Sequence, residues 1–359
     1  MDRILQLSIF ISIFSLIVLG LHYYVLFRIF GLLSLKKSYL SHLIVIGLSF
    51  SFVAANFLVS KQFNLFTRAF YAVSSSWMGI LFFLFSTLII YEVLKFFIKF
   101  DPKHVGMTIL IIVGIISIFS IINAQFVTVR TVSIPDFPEK LRAVQITDMH
   151  IGTLYNHGYI KNVVDNVNKL DPDVVFITGD LVSGGAKLRP GMFDELKKIK
   201  AKTFFVYGNH EFYEDLKEFD KVFSTTGIKI LHDEVVEFNG VQILGTEFFQ
   251  GGGFHGESGG IPLKELLEKV KVSEEKPLII LKHIPGGLEG SNADLILSGH
   301  THAGQIFPFT VFTRMATKYV SGLYKDGKTN IYVSAGTGTW GPPMRFGSRN
   351  EITLFELGS

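Results

Sequence analysis

Residues 141–150 read LRAVQITDMH, an apolar run that stops abruptly at a carboxylate and an imidazole. A short apolar run with β-branched side chains predicts a buried strand. The same pattern, an apolar run followed at once by polar residues, recurs further along the chain at 174–180, 203–210, 278–283 and 294–302. The sequence therefore predicts five strands that each end in ligand-type side chains.

Two segments with helical periodicity lie between the first three predicted strands, at Tyr159–Leu170 and Met192–Lys200. Alternation of strands and helices predicts an α/β domain with a largely parallel sheet. In such sheets, ligands bind outside the carboxyl ends of the strands. We therefore expect one sheet edge to collect the polar residues that follow the strands: Asp148, His150, Asp180, Asn209, His210, His283, His300 and His302.

These residue types indicate a metal centre. Imidazole, carboxylate and amide groups together suit Mn, Fe, Zn or Co, whereas Ca²⁺ prefers oxygen ligands alone. Six or seven ligands are too many for one ion and fit two ions about 3.5–4 Å apart that share a carboxylate. Such a centre generates hydroxide from bound water and clamps the oxygens of a phosphoryl displacement. His210, adjacent to Asn209, is placed to protonate a leaving alkoxide.

The order of the motifs carries more weight than any one of them. Asp-x-His is expected by chance about half a time in a chain of this composition, so it decides nothing alone. Gly-Asn-His and Gly-His-x-His are each expected only roughly a few hundredths of a time. Finding all of them in order, each after an apolar strand, is a strong signal.

The motifs resemble the five sequence blocks of the calcineurin-like metallophosphoesterases. The matching residues are Asp148-Met149-His150, Gly179-Asp180, Gly208-Asn209-His210-Glu211, His283 and Gly299-His300-Thr301-His302. Over about residues 141–358 the chain is similar to the membrane-associated bacterial branch of that family. The resemblance implies a four-layer αββα sandwich with two divalent metal ions.

The resemblance also implies a role for each residue. The first metal would be held by Asp148, His150, Asp180 and His302. The second would be held by Asp180, Asn209, His283 and His300, so that Asp180 bridges the two ions, and His210 would be the catalytic histidine that binds no metal. Many relatives have an Asp shortly after the Gly-Asp block, where this chain has Leu181-Val182-Ser183. The carboxylate partner of His210 therefore stays open, and Glu211 is not assumed to replace it.

The first third of the chain has a different composition. Residues 1–129 hold nine of the 34 Lys and Arg and three of the 31 Asp and Glu. Four charge-free stretches are long enough for an α-helix to cross a bilayer, at 4–27, 38–60, 69–91 and 105–129. They lack the single apolar stripe of a helix buried in a soluble core. We expect an all-α, four-helix transmembrane region at 1–129, followed by the metallophosphoesterase domain at 130–359.

The distribution of charge and the cysteine content predict the membrane orientation and exclude some kinds of partner and site. The loops after the first and third predicted spans carry six Lys and Arg, and the opposite side carries four. The positive-inside rule then makes those loops cytoplasmic and places the catalytic domain on the extracytoplasmic face of the cell membrane. The excess positive charge flanks the spans, so no nucleic-acid partner is expected. The absence of cysteine excludes thiolate metal sites and cysteine nucleophiles.

Two features near the site leave alternatives open. Arg345 follows a glycine- and proline-rich turn and suits either phosphate recognition or a structural ion pair. Residues 306–312, IFPFTVF, are apolar directly after the metal histidines, and Phe248, Phe249 and Phe254 flank a glycine-rich loop. These apolar segments predict either rims that touch lipid or an acyl substrate, or ordinary packing beneath the sheet.

Taken together, these features predict a membrane-anchored, dinuclear metal-dependent phosphoesterase. Attack by a metal-bound hydroxide would cleave a phosphomonoester, phosphodiester or pyrophosphate. The membrane anchor and the apolar segments favour a lipid- or envelope-linked substrate. The alternative is a catalytically idle membrane sensor or scaffold that keeps the fold and the metals.

Overall fold

The structure, a computed structural model, describes residues 3–155, 157–183, 187–247, 261, 263–287 and 291–359, with the backbone alone at 3–11. The chain divides into two units. One is Met1–Ile122 with Gly341–Met344, and the other is Asn123–Trp340 with Arg345–Ser359.

Four long helices make up most of the first unit: α1 (Arg3–Leu32), α2 (Tyr39–Lys61), α3 (Leu65–Leu94) and α4 (Pro102–Asn123). Each contains a stretch apolar and long enough to cross a membrane. Ser38 and Asn64 start α2 and α3 with reciprocal side-chain caps on the first turn. Large apolar side chains such as Leu16, Phe57 and Ile115 are exposed, as expected for helices whose surroundings are lipid.

The fourth predicted span was wrong at its C-terminal end. Helix α4 ends at Asn123, and strand β1 (Val127–Ile134) pairs in parallel with β12 (Asn350–Leu357). The boundary between the units therefore lies near residue 122, not 129. A charge-free apolar run satisfies the length criterion whether it is helical or extended, and the partner strand lies more than 200 residues away in sequence.

The second unit contains the remaining strands and helices. The other strands are β2 (Leu141–Ile146), β3 (Val174–Thr178), β4 (Lys202–Val206), β5 (Lys229–Ile230), β6 (Glu234–Phe238), β7 (Val241–Gly245), β8 (Leu278–Leu281), β9 (Leu295–Ser298), β10 (Gly322–Asp326) and β11 (Thr329–Val333). The helices are α5 (His157–Lys169), α6 (Leu216–Phe223), α7 (Leu263–Lys269) and α8 (Phe309–Ala316). The five strands predicted from sequence are β2, β3, β4, β8 and β9, and all are confirmed. The helix predicted at Met192–Lys200 is instead a short 3₁₀ segment, Asp194–Lys198.

The strands form two six-stranded sheets. The first has the order β1-β12-β2-β3-β4-β5, and the second has the order β10-β11-β9-β8-β7-β6. Strands β2 to β5 run parallel, as do β7, β8, β9 and β11. Both sheets therefore direct the carboxyl ends of consecutive strands toward one edge.

Three apolar cores define the layers. The inner core joins the facing sides of both sheets, including Phe176 of β3 and Ile279 of β8. A second core packs α5 and α6 on the outer face of the first sheet, where Phe219 is fully buried. A third packs α7 on the outer face of the second sheet through Leu263 and Leu266. The result is the predicted four-layer αββα sandwich.

Candidate metal centre

The predicted site residues lie in the loops that follow five strands. Asp148 and His150 follow β2, and Asp180 follows β3. Asn209 and His210 follow β4, His283 follows β8, and His300 and His302 follow β9. Because β8 and β9 belong to the second sheet, the site takes its residues from both sheets.

Backbone strain marks these loops. Asp148, His150, Asp180, His300 and His302 all have φ between 49° and 72°. Residues with side chains rarely adopt this left-handed region, at a cost of about 1–3 kcal/mol each, and such strain clusters at functional sites. Hydrogen bonds between the loops hold these conformations, including those from the Asp148 and His150 amides to the carbonyls of Gly179 and Asp180.

The first cluster consists of Asp148, His150 and His302. Their ligand atoms lie within 4.8 Å of one another. The Nε2 atoms of the two histidines are 3.0 Å apart, and His302 Nε2 is 3.5 Å from Asp148 Oδ1. The Thr147 hydroxyl and the His300 amide donate to the Asp148 carboxylate, which orients it.

The second cluster consists of Asp180, His283 and His300, with ligand atoms again within 4.8 Å. His283 directs Nδ1 to the Thr178 carbonyl at 2.7 Å, which leaves Nε2 at 3.2 Å from Asp180 Oδ2. Asn209 Oδ1 is buried and accepts a hydrogen bond from no residue that the structure describes. A buried amide oxygen without a hydrogen-bond donor suits a metal ligand.

Asp180 belongs to both halves of the site. Its Oδ2 atom is 3.9 Å from His150 Nε2 in the first cluster and 3.2 Å from His283 Nε2 in the second. Gly208 lets the next loop approach, since a Cβ there would lie 2.2 Å from Asp180 Oδ1. The position suits a carboxylate that bridges two ions.

His210 lies at the edge of this array. Its Nε2 atom is 3.9 Å from Asp180 Oδ2, and its amide donates to Asp180 Oδ1. Its ring makes edge-on contacts with Tyr213 and Trp340, with centroids at 5.2 and 6.3 Å. Both aromatic side chains are more than half exposed, so His210 borders the open side of the site.

Burial and the charges of neighbouring groups shift the pKa values of the site residues. Desolvation lowers the pKa of His150 to about 3 and that of His300 to about 4, so both imidazoles are neutral and free to ligate near pH 7. Desolvation raises the pKa of Asp148 to about 6. Burial disfavours the Asp180 carboxylate too, but the facing His283 and His210 hold its pKa well below the usual range. The same pairing outweighs burial at His283 and raises its pKa to about 10.

The donor set fits two divalent ions. Imidazoles and carboxylates converge from two sides on Asp180, and Asn209 has a buried amide oxygen with no donor among the described residues. Mixed nitrogen and oxygen ligands suit Mn, Fe, Zn or Co better than Ca²⁺. Six of the seven residues predicted as ligands, the aspartates and histidines of the two clusters, are therefore close enough together to serve a binuclear centre. Asn209, in the loop after β4, stays a prediction.

Glu211 has a role that the sequence did not reveal. Its fully buried carboxylate accepts hydrogen bonds from four backbone amides, those of Asp180, Leu181, Val182 and Gly208. Burial, with the nearby Asp180 charge, raises the pKa of Glu211 to about 7, and the amides oppose that rise. Glu211 thus ties the β3 loop to the β4 loop and is not oriented as the carboxylate partner of His210.

Arg345, predicted either to bind substrate or to form a structural ion pair, is buried. Its guanidinium is fully buried and donates to the carbonyls of His302, Ala335 and Gly338 and to Asn350 Oδ1. These bonds brace the loop that carries His302. Of the two alternatives, the structure supports the structural one, with carbonyl groups as the main partners.

Two interpretations were open for the apolar segment at 306–312, an exposed rim or packing beneath the sheet. Most of its large side chains are exposed. Ile306 is buried, but Phe307, Phe309, Val311 and Phe312 are all exposed. Packing beneath the sheet therefore does not account for them. Phe248, Phe249 and Phe254, the other predicted rim, lie outside the described residues.

Comparison with known proteins supports the geometry. A family model for calcineurin-like phosphoesterases matches residues 141–304. An uncharacterized metallophosphoesterase of Helicobacter pylori is 36% identical over 227 residues, covering 61% of this chain and 60% of the relative. One from Campylobacter jejuni is 33% identical over 260 residues, covering 69% and 68%. The transmembrane protein with metallophosphoesterase domain of Bos taurus is 32% identical over 269 residues, covering 70% and 60%.

The chain spans about 60% of the length of the Helicobacter pylori relatives. The residues that the family model matches nevertheless include the blocks that supply the clustered aspartates and histidines. Because the chain shares a third of its aligned residues with a metallophosphoesterase over two thirds of both proteins, it belongs to the calcineurin-like metallophosphoesterases.

Proposed function

We propose that the protein is a membrane-anchored, dinuclear metal-dependent phosphoesterase. The observation that carries the proposal is Asp180, whose Oδ2 atom lies between a His150 side and a His283 side of one buried ligand array. Two divalent ions, when bound, supply an activated water and neutralise phosphoryl oxygens. Phosphomonoesters, phosphodiesters and pyrophosphates all suit such a centre, and the four candidate spans favour a lipid- or envelope-linked ester.

The chain's own residues supply the remaining chemistry. The oxygen of water adds to phosphorus and that water loses one proton to solvent, while the ester P–O bond breaks and the leaving oxygen takes up one proton. His210 also forms a group with His150 and Asp180 whose ligand atoms lie within 4.8 Å of one another. We assign it to proton donation from Nε2, with the proton regained from solvent, because it borders the open side of the site. Tyr213 and Trp340 limit the orientations of its ring.

Replacement of His210 tests this assignment. For His210→Asn in the full chain with Mn²⁺, we expect the rate on a phosphodiester with an alkyl leaving group to fall roughly 10²–10⁴-fold, since a general acid contributes in that range. Metal content should not change, because the backbone amide still donates to Asp180. His157→Asn, at an exposed histidine paired with Glu195, is the matched control and should retain the wild-type rate.

These measurements distinguish an active enzyme from the alternative, a catalytically idle sensor or scaffold. A wild-type protein that binds two metals and hydrolyses none of the three ester classes would support the idle sensor or scaffold. A His210→Asn variant with the wild-type rate would remove His210 from the mechanism. In both cases, the metal content is measured on the same protein samples as the activity.

We also propose that the catalytic domain faces the extracytoplasmic side, on the distribution of Lys and Arg between the loops. An alkaline phosphatase fused after Ser359 should be active in a bacterial host, because that reporter folds only outside the cytoplasm. A fusion after Lys37, in a loop predicted to be cytoplasmic, should be inactive. The reverse pattern would place the domain inside the cell.

A further inference from the structure

Two aromatic side chains at the mouth of the site are exposed. Trp340 is 60% exposed and Tyr213 is 55% exposed, whereas tryptophan is on average one of the more buried residue types. Their rings contact the same His210 ring, with centroids at 6.3 and 5.2 Å. Because His210 is the residue assigned to protonate the leaving oxygen, the two aromatic side chains border the place of the leaving group.

The backbone of Trp340 is held in place although its side chain is exposed. The Trp340 amide donates to Gln305 Oε1, and Gln305 Nε2 donates to the Trp340 carbonyl, both at 2.9 Å. In the same loop, the Gly338 amide donates to the Asp148 carbonyl at 2.9 Å, and a Cβ on Gly338 would lie 2.4 Å from the Met149 carbonyl oxygen. The loop therefore holds Trp340 at the mouth before a substrate arrives, which lowers the entropy cost of binding.

Tyr213 comes from a different loop, the one after β4. It ends the 3₁₀ turn Glu211–Tyr213, and the Glu211 carboxylate at the start of that turn accepts from four backbone amides. The Tyr213 hydroxyl accepts a hydrogen bond from Asn209 Nδ2 at 3.5 Å. Two loops from different parts of the sequence thus each place one aromatic side chain beside His210.

The two segments that carry these side chains contain little charge. Residues 207–213, YGNHEFY, and 334–340, SAGTGTW, include no Lys or Arg and a single carboxylate, Glu211. That carboxylate is buried and faces backbone amides. Because further phosphate groups on a leaving group are recognised by Arg and Lys side chains, these segments suit an uncharged leaving group.

The faces of indole and phenol rings favour a flat partner. Aromatic rings pair in offset-stacked or edge-on arrangements, and such a pair is stabilised beyond the burial of apolar area. A saturated ring of the same size buries a similar apolar area but has no π face. Planarity of the ring is therefore the property by which this part of the site would distinguish one leaving group from another.

We propose that Trp340, with Tyr213 beside it, forms a subsite for an uncharged planar ring on the leaving group of the phosphoester. The group on the other side of phosphorus does not enter this subsite, so a lipid- or envelope-linked ester is compatible with it. The inference rests on the proposed function and deepens it, because it names the class of leaving group that the site selects.

A matched pair of substrates tests the subsite. Dibenzyl phosphate and bis(cyclohexylmethyl) phosphate are symmetrical diesters of primary alcohols with six-membered rings, and only the benzyl ring is planar. For the full chain with Mn²⁺, we expect kcat/KM to be roughly 3–10-fold higher for the dibenzyl ester, since an aromatic pair contributes in that range beyond apolar burial.

Variants of Trp340 assign this preference to its ring. Trp340→Ala should reduce the preference to less than twofold while the loop keeps its shape, because the bonds to Gln305 are made by the backbone. Trp340→Phe retains an aromatic ring and should keep most of the preference. Phe312→Ala, at an exposed aromatic residue on α8, is the matched control and should show the wild-type ratio.

A binding measurement checks the ring contact without turnover. p-Nitrobenzylphosphonate contains a P–C bond in place of the ester bond, and its nitroaromatic ring quenches the fluorescence of a stacked tryptophan. The chain has two tryptophans, Trp77 and Trp340, so quenching in the Mn²⁺-loaded protein should be partial and should disappear in Trp340→Phe. p-Nitrobenzyl alcohol, which lacks the phosphonate, should not quench at the same concentration.

Three results would overturn the proposal. The first is equal kcat/KM for the two esters in the wild-type protein. The second is a preference that Trp340→Ala retains, even with both rates lowered. The third is the absence of quenching by the phosphonate. If neither ester is hydrolysed, the proposed function fails on these substrates while the quenching still reports on the subsite, so the two failures can be told apart.

Discussion

Asp180→Asn should abolish activity while the domain stays folded. The Oδ2 atom of Asp180 is the point at which the two ligand groups meet, 3.9 Å from His150 Nε2 and 3.2 Å from His283 Nε2. A neutral amide has no charge with which to bridge two cations, so both ions should bind weakly. We expect kcat/KM on bis-p-nitrophenyl phosphate with Mn²⁺ to fall about 10⁴-fold, which corresponds to about 5 kcal/mol of transition-state stabilisation.

Metal analysis and circular dichroism on the same protein distinguish loss of the site from loss of the fold. Bound metal should fall below two ions per chain, and the spectrum should match that of the wild type. Asp165→Asn is the matched control, since Asp165 is an exposed carboxylate on α5 that pairs with Lys161. Full activity in Asp180→Asn with two metals bound would contradict the proposed bridging role.

Glu211→Gln should destabilise the catalytic domain and weaken its metal site. The Glu211 carboxylate accepts hydrogen bonds from four amides. Two of these, the amides of Asp180 and Gly208, donate to the same oxygen. In either orientation of a glutamine side chain, its NH₂ group would face two N–H donors. Each buried donor left without an acceptor costs about 1–3 kcal/mol. For a domain of this size the midpoint of thermal unfolding should fall by roughly 5–20 °C.

Thermal unfolding of the metal-free protein, followed by near-ultraviolet circular dichroism, measures this effect without the contribution of bound ions. Mn²⁺ affinity should fall as well, because the same amides position Asp180. Glu218→Gln, an exposed glutamate on α6, should unfold at the wild-type temperature. If Glu211→Gln also unfolds at the wild-type temperature, the four hydrogen bonds contribute little to the stability of the two loops.

The candidate metal ligands could be predicted from sequence because their placement at strand ends follows from a local rule. Each strand end is marked by a short apolar run that stops at a polar residue, and parallel strands bring their carboxyl ends to one edge. Asp148 and Asp180, which follow strands of the first sheet, could therefore be brought together without knowledge of the strand order. His283 follows a strand of the second sheet and joins them only because the two sheets pack face to face. The four apolar helices were equally accessible, since length and absence of charge are properties of a single segment.

The exact end of the fourth helix was not accessible in this way. Val127–Val129 is apolar in either conformation, and only pairing with β12, more than 200 residues away, makes it a strand. The burial of the charged Glu211 and Arg345 side chains could not be predicted from the sequence either. Whether a charged side chain faces solvent or a set of backbone groups depends on which amides and carbonyls the loops leave unpaired.

The direction of α8 was the last property that the sequence left open. Its residues 309–316, FTVFTRMA, allow the threonines or the phenylalanines to face the domain. Gly304, which leaves no room for a side chain beside Thr310, decides between them. By itself, the sequence identified the candidate metal ligands and the candidate spans, because strand ends and helix lengths are local. Only the tertiary structure decided which charges are buried and which apolar side chains are left outside, because burial depends on the neighbours that folding supplies.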